Sequence, residues 1–163
     1  MKAAINASPF IFLAKLERLD CLRLYEKIFT SNLVIQEIEK GLNKGHQEAL
    51  WVQKLINEKF IVSKKTKKKK EGFGLHPGEL SVIDLAKEMK IKNIIVDDRK
   101  AIQVAKYFGL KVVSTPFLFL RNLKMGRIEY EEFMDAFEGR IGLGYFISPD
   151  LYVKILEKAR EFD

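Results

Sequence analysis

The stretch Asn93-Ile94-Ile95-Val96-Asp97-Asp98-Arg99 most limits what this chain can become. Three consecutive apolar, β-branched residues that run into two adjacent carboxylates read as a buried parallel strand whose C-terminal end opens into a polar crevice. Ligands bind at that end in open α/β sheets. Two neighbouring acids there repel each other and lose hydration, so they stay ionised only beside a cation: an Arg, a Lys or a divalent metal. What that cation is for is the question the rest of the sequence has to answer.

Four further apolar runs have strand length: Lys2 to Asn6, Ile28 to Thr30, Phe60 to Val62 and Lys111 to Ser114. Helical patterns separate them. Ser8 as N-cap and Pro9 at the first helical position start a helix that runs to Leu19, and Asp20 caps another through about Lys27. Ser31 or Asn32 caps a helix that Gly41 ends, and a further helix spans about residues 46–59. His76-Pro77-Gly78-Glu79 opens a helix to about Lys90, and Asp98 caps one to Phe108 that Gly109 stops. Pro116 starts another through Met125. Two more follow, from about Glu129 to Phe137 and from Ser148-Pro149-Asp150 onward. Strands alternating with helices predict a central parallel sheet of about five strands between two helix layers, a flavodoxin-like three-layer α/β/α fold. Its first and fourth strands flank the switch point, so Asn6 and Asp97 become neighbours.

With 163 residues, 47% hydrophobic and 31% charged, the chain has enough material for one well-buried core, and a single domain over residues 1–163 is expected. One cysteine, Cys21, excludes an internal disulfide, and with His46 and His76 it gives too few soft ligands for a closed zinc site. Asn6, Ser8 and Pro9 interrupt any signal-like core, and no run approaches membrane-spanning length. A cytoplasmic protein without a membrane segment is expected. The net charge is +7, from 29 basic and 22 acidic residues, yet six lysines lie together at Lys64, Lys65, Lys67, Lys68, Lys69 and Lys70. Without them the balance is 23 against 22, so the basicity belongs to one loop. Such a cluster is an electrostatic footprint for a polyphosphate, or else a solubilising loop.

Two carboxylates stand where apolar residues belong. Glu37 falls inside the apolar arc of Leu33, Val34, Ile35 and Ile38, and Glu79 inside that of Val82, Ile83, Ala86 and Met89. Charges on such faces are rare unless paired or bound to metal. Glu79 also has a plainer reading as a complement to the helix N-terminal dipole. Asp84 and Ser81 fall on the far side, and Asp84 is expected to be solvent-facing and dispensable. Projected into the crevice, Glu37 and Glu79 would join Asp97 and Asn6 in an oxygen-only cluster, which favours Mg²⁺ or Mn²⁺ and a metal-dependent nuclease.

The Asn6-Ala7-Ser8-Pro9 strand end, the Glu37 helix, Pro77-Gly78-Glu79 and Val96-Asp97-Asp98-Arg99 resemble PIN-domain proteins, particularly those related to VapC-like ribonuclease toxins. Gly144 to Tyr152 looks like the C-terminal helix start of one subgroup. The resemblance covers nearly the whole chain. It implies Mg²⁺- or Mn²⁺-dependent endoribonuclease activity on single-stranded RNA, often in a homodimer, and a possible antitoxin partner. By position it makes Glu37, Glu79 and Asp97 the catalytic and metal-binding acids, with Asp98 an auxiliary ligand. Ser8, Arg99 and the six lysines are then candidates for substrate contact. Asn6 stands where the family usually has its first Asp and brings a carbonyl oxygen without charge.

Three alternatives accompany this reading. Asn6 and the lysine loop suit a non-catalytic RNA-binding PIN-like module. An acidic pair at a strand end also occurs in phospho-acceptor receivers, but there it follows the first strand. A purely structural reading makes Asp97 a salt-bridge partner and Asp98 a helix cap. On the nuclease reading, Asp97→Asn abolishes cleavage and leaves the thermal melt almost unchanged.

Overall fold

The computed structural model describes residues 1–41, 47–67 and 72–163. Five parallel strands, β1 (Lys2–Ile5), β2 (Lys27–Ser31), β3 (Ile61–Lys64), β4 (Asn93–Ile95) and β5 (Lys111–Val113), form one sheet in the order β3-β2-β1-β4-β5. Each matches a predicted strand. Ala3 pairs with Ile28 on one side of β1, and Ile5 with Ile95 on the other. β1 and β4 therefore lie side by side at the switch point, while β3 sits at the edge beyond β2. Ala3, Ala4, Ile5, Ile28, Ile94 and Ile95 are fully buried, which is why these strands read as unbroken apolar runs rather than alternating ones.

Eight helices surround the sheet among the described residues: α1 (Ala7–Lys15), α2 (Asn32–Gly41), α3 (Gln47–Asn57), α4 (Pro77–Glu88), α5 (Arg99–Tyr107), α6 (Thr115–Lys124), α7 (Tyr130–Gly142) and α8 (Pro149–Arg160). Right-handed crossovers set α1 and α3 on one face and α4 and α5 on the other. The packing agrees, since α1 meets α3 and α4 meets α5. α2 touches both α1 and α4, bridging the two layers.

Three boundaries differ from expectation. Asn6, not Ser8, is the N-cap of α1, its Oδ1 accepting from the Ala7 amide at 2.8 Å. α1 ends at Lys15, and Leu19–Leu24 is a short 3₁₀ helix rather than the start of an α-helix. α7 continues to Gly142, well past Phe137. Gly139 hides that extension in the sequence, because glycine weakens a helix interior. Here it lets α1 and α7 approach: a Cβ would lie 2.8 Å from Leu16 Cδ2, so that side chain would have to move.

Candidate active site

Because all strands run the same way, Asn6, Ser31 and Asp97 lie at one edge of the sheet. α4 leads back to the start of β4, so its first turn, with Gly78 and Glu79, returns to that same edge. A hydroxyl chain fixes it there. Ser81 Oγ donates to the Gly78 carbonyl at 2.6 Å, which makes Ser31 the donor in the 2.6 Å contact between the two hydroxyls. Ser31 Oγ also accepts from the Val34 amide at 3.1 Å and so starts α2. One buried serine thus ties β2, α2 and α4 together.

Glu37, one and a half turns into α2, is half-buried and lies over Gly78. A Cβ on Gly78 would collide with Glu37 Oε1, so the glycine is a cradle for that carboxylate. Burial first, then the charge of Glu79, push the Glu37 pKa up, and His76 and Lys40 oppose the shift. Glu79 Oε2 accepts from the His76 amide at 3.0 Å, which closes a capping box at the start of α4. The plainer role foreseen for Glu79 is therefore real, and it coexists with the carboxylate pair. Neither Glu37 nor Glu79 forms an ion pair with a described residue.

Asp97 is handled differently. Its Oδ1 accepts from the Thr115 amide at 2.8 Å, the Thr115 hydroxyl reaches Oδ2 at 3.0 Å, and Arg140 Nη2 donates to Oδ2 at 3.1 Å. Arg140 Nε also donates to Thr115 Oγ1 at 3.1 Å. Both charged side chains are only 4% exposed. The guanidinium carbon lies 3.6 Å from the Phe12 ring centroid and 4.9 Å from that of Tyr145, a cation held between two aromatic faces. Burial raises the Tyr145 pKa, and the Ser114 side chain opposes the shift. The cation that the acidic strand end requires is thus an arginine from α7.

Asp98 is the N-cap of α5: its Oδ1 accepts from the amides of Lys100 and Ala101, both at 2.9 Å. The structural reading of the acidic pair therefore holds for both members. Asn6 is 3% exposed, and its amide donates to the Ile95 carbonyl at 3.1 Å, which puts it beside the β4 end. Ser8 is half-buried, and Arg99, Lys64, Lys65 and Lys67 are exposed. Lys68, Lys69, Lys70 and His46 lie outside the described residues. Asp84 is not solvent-facing: it is 5% exposed and engaged, and Ser81 is buried with it, because α4 is covered by α2 and α5 as well as by the sheet. Cys21 is buried, which pushes its thiol up to about 12 and leaves it unreactive.

The edge thus carries two pairs rather than one cluster: Glu37 with Glu79, and Asn6 with Asp97. Among the described residues no three His, Cys, Asp or Glu side chains converge to hold a metal. At the first pair, two oxygen donors of like charge over a glycine cradle fit one hard divalent cation. At the second, a neutral amide and a carboxylate neutralised by Arg140 leave no net charge for another. The Arg140 pair also overturns the expectation that Asp97→Asn leaves the melt unchanged, since it would leave a buried guanidinium without its counter-ion.

Arg140 and Thr115 are the residues that sequence reasoning missed. Arg140 lies seven positions after Phe133 and three after Phe137, on the same helix face. The test that found Glu37 and Glu79, a charge on an apolar arc, would have found it had the helix been carried past Phe137.

Residues 2–161 match a family model described as DUF3368, PIN domain. Among solved structures, the fold resembles a PilT N-terminus domain protein, SSO1118, from the hyperthermophilic archaeon Sulfolobus solfataricus P2. That match has a TM-score of 0.54 and 24% sequence identity, covering 72% of this chain and 90% of the other. None of the curated proteins matches this chain.

Proposed function

The chain belongs to the PIN-domain family, whose members are generally nucleases, and from that premise we propose a divalent-metal-dependent endoribonuclease acting on single-stranded RNA. The observation that carries this reading is the Glu37 carboxylate, half-buried over Gly78 beside Glu79 and paired with no described cation. Glu37 and Glu79 would hold one Mg²⁺ or Mn²⁺ ion, with the neutral Asn6 beside Asp97 at the neighbouring strand end. A bound ion of this kind lowers the pKa of an attached water and offsets charge on a phosphodiester under in-line attack.

The chain's own groups do the rest. Thr115 and Arg140 hold the Asp97 carboxylate in one orientation at the neighbouring strand end. Asp98 fixes the start of α5 and so sets where Arg99 leaves the surface. Arg99 and the exposed lysines after β3 attract the RNA backbone. In this role the protein is the toxin of a toxin–antitoxin pair and works as a homodimer in the cytoplasm. The test is cleavage of a single-stranded RNA with Mn²⁺, set beside calorimetric Mn²⁺ binding. Both are expected in the wild type and lost in Glu37→Gln. Folded protein that binds no Mn²⁺ overturns the reading.

A second reading, an RNA-binding PIN module that does not cut, is favoured by Asn6 and by the Arg140–Asp97 pair, which together remove two of the negative charges a nuclease centre would use. Asn6→Asp separates the two readings. Cleavage that rises with the added carboxylate supports an attenuated enzyme, whereas RNA binding without turnover in both proteins supports the module.

A further inference from the structure

Away from the acidic edge, three aromatic rings meet on the surface. Phe73 and Tyr107 are 51% and 77% exposed, unusual for large rings in mutual contact. Their centroids lie 6.1 Å apart, and each meets Phe108 nearly edge-on, at 5.3 and 5.2 Å. Phe73 has a φ of 61°, a conformation that bulky side chains rarely adopt, and the ring contacts hold it there. One ammonium group lies against the cluster, and two more lysines stand within four residues of Tyr107 along the chain. Lys87 Nζ sits 3.6 Å from the Phe108 ring centroid, and Lys106 and Lys111 are exposed at the same end of α5. None of these three lysines forms an ion pair with a described residue.

Exposed rings beside lysines that form no ion pair with a described residue suit a partner that offers flat π-faces and regular negative charge together. We propose that Phe73, Tyr107 and Phe108, with Lys87, Lys106 and Lys111, form a stacking platform for single-stranded RNA. Unpaired bases lie on the exposed Phe73 and Tyr107 rings, Phe108 backs both of them with Lys87 over its own ring, and the lysines meet the phosphates. The platform rests on the ribonuclease reading for the identity of the strand. It is joined to the acidic edge by the segment from Phe73 to Glu79, six residues that reach at most about 21 Å. Lys100 lies along the way: its Nζ would be 2.5 Å from a Cβ on Gly74. The platform holds a strand whose continuation reaches Glu37 and Glu79.

The test is fluorescence anisotropy with a labelled single-stranded RNA of about ten nucleotides, in EDTA so that no cleavage intervenes. Tyr107→Ala and Phe73→Ala are each expected to weaken binding by about five- to a hundredfold, with Tyr107→Phe restoring it. Changing Lys87, Lys106 or Lys111 to Ala should lower the slope of log K against log salt by about 0.7 per lysine. Tyr107 is so exposed that its replacement leaves the fold intact, which a thermal melt verifies. Alanine variants that bind like the wild type, or a wild type that binds a duplex as tightly as a single strand, overturn the platform. So does a patch that binds only protein. Platform variants that weaken binding in a protein that never cleaves with Mn²⁺ overturn the nuclease reading and leave the platform standing.

Discussion

Two parts of one sheet edge treat negative charge in opposite ways. Asp97 is buried with a cation supplied by the chain, and every oxygen has a protein donor. Glu37 and Glu79 are less buried, press on each other across a glycine, and have no described counter-ion. The difference separates a carboxylate whose charge the fold itself answers from a pair whose charge no described residue answers. The ion pair fixes the Asp97 carboxylate, although Arg140 Nη1 itself is buried without a partner, whereas the like-charge pair is eased by a proton, as the raised Glu37 pKa records, or by a bound cation.

The comparison breaks first at Arg140. Arg140→Met leaves the Asp97 carboxylate buried without its partner and should cost about 3–5 kcal/mol in urea unfolding. Adding Asp97→Asn should cost much less than the sum of the two single changes. An Arg140→Met protein that unfolds like the wild type would show that the pair is not what holds Asp97.

Glu79→Gln tests the other side. Gln also serves at the third position of a capping box, so the metal-free stability should move by only a few tenths of a kcal/mol. The stabilisation that Mn²⁺ gives at a hundred times its Kd, about 2.7 kcal/mol, should vanish. A Mn²⁺-dependent rise in Tm that persists in this variant would move the ion elsewhere.

Gly78→Ala sharpens the same point. The new methyl group displaces the Glu37 carboxylate, and Mn²⁺ affinity should fall about tenfold, roughly 1.4 kcal/mol by calorimetry. Metal-free stability should change less, because a side-chain end can swing aside. Ser31→Ala removes the hydroxyl that caps α2 and joins α4, and should cost about 1 kcal/mol of stability.

The smallest effect is a pH dependence. Glu37 has a folded pKa above its ordinary value of 4.5, so the folded state holds that proton more tightly than the unfolded chain does. Its contribution to metal-free stability is present below the ordinary value and is lost as pH rises through the raised one. Mn²⁺ binding has the opposite trend, weakening as pH falls and protons compete. Tm measured across this window with and without Mn²⁺ should show the two curves diverging upward in pH, and in Glu37→Gln the divergence should disappear.

Much of this was legible in the residues. The strands announced themselves because a sheet buried on both faces needs unbroken apolar runs, and Asn6 and Asp97 became neighbours through connectivity alone. Glu37 and Glu79 stood out as charges on apolar arcs. Periodicity failed where a helix is covered on more than one side. Asp84 and Ser81 looked solvent-facing on a wheel, yet α2 and α5 bury them. It also failed where a glycine serves close packing. Gly139 made α7 look shorter than it is, and Arg140 was lost with the missing turns. No local pattern announces that an arginine some forty residues downstream will neutralise a given aspartate, because tertiary packing alone brings them together.

The most direct measurement is a calorimetric titration of the wild type with Mn²⁺ at neutral pH, repeated on Glu79→Gln. One ion per chain, lost in the variant, is the predicted result. Two ions per chain, or binding that survives the loss of the Glu79 charge, would contradict the account.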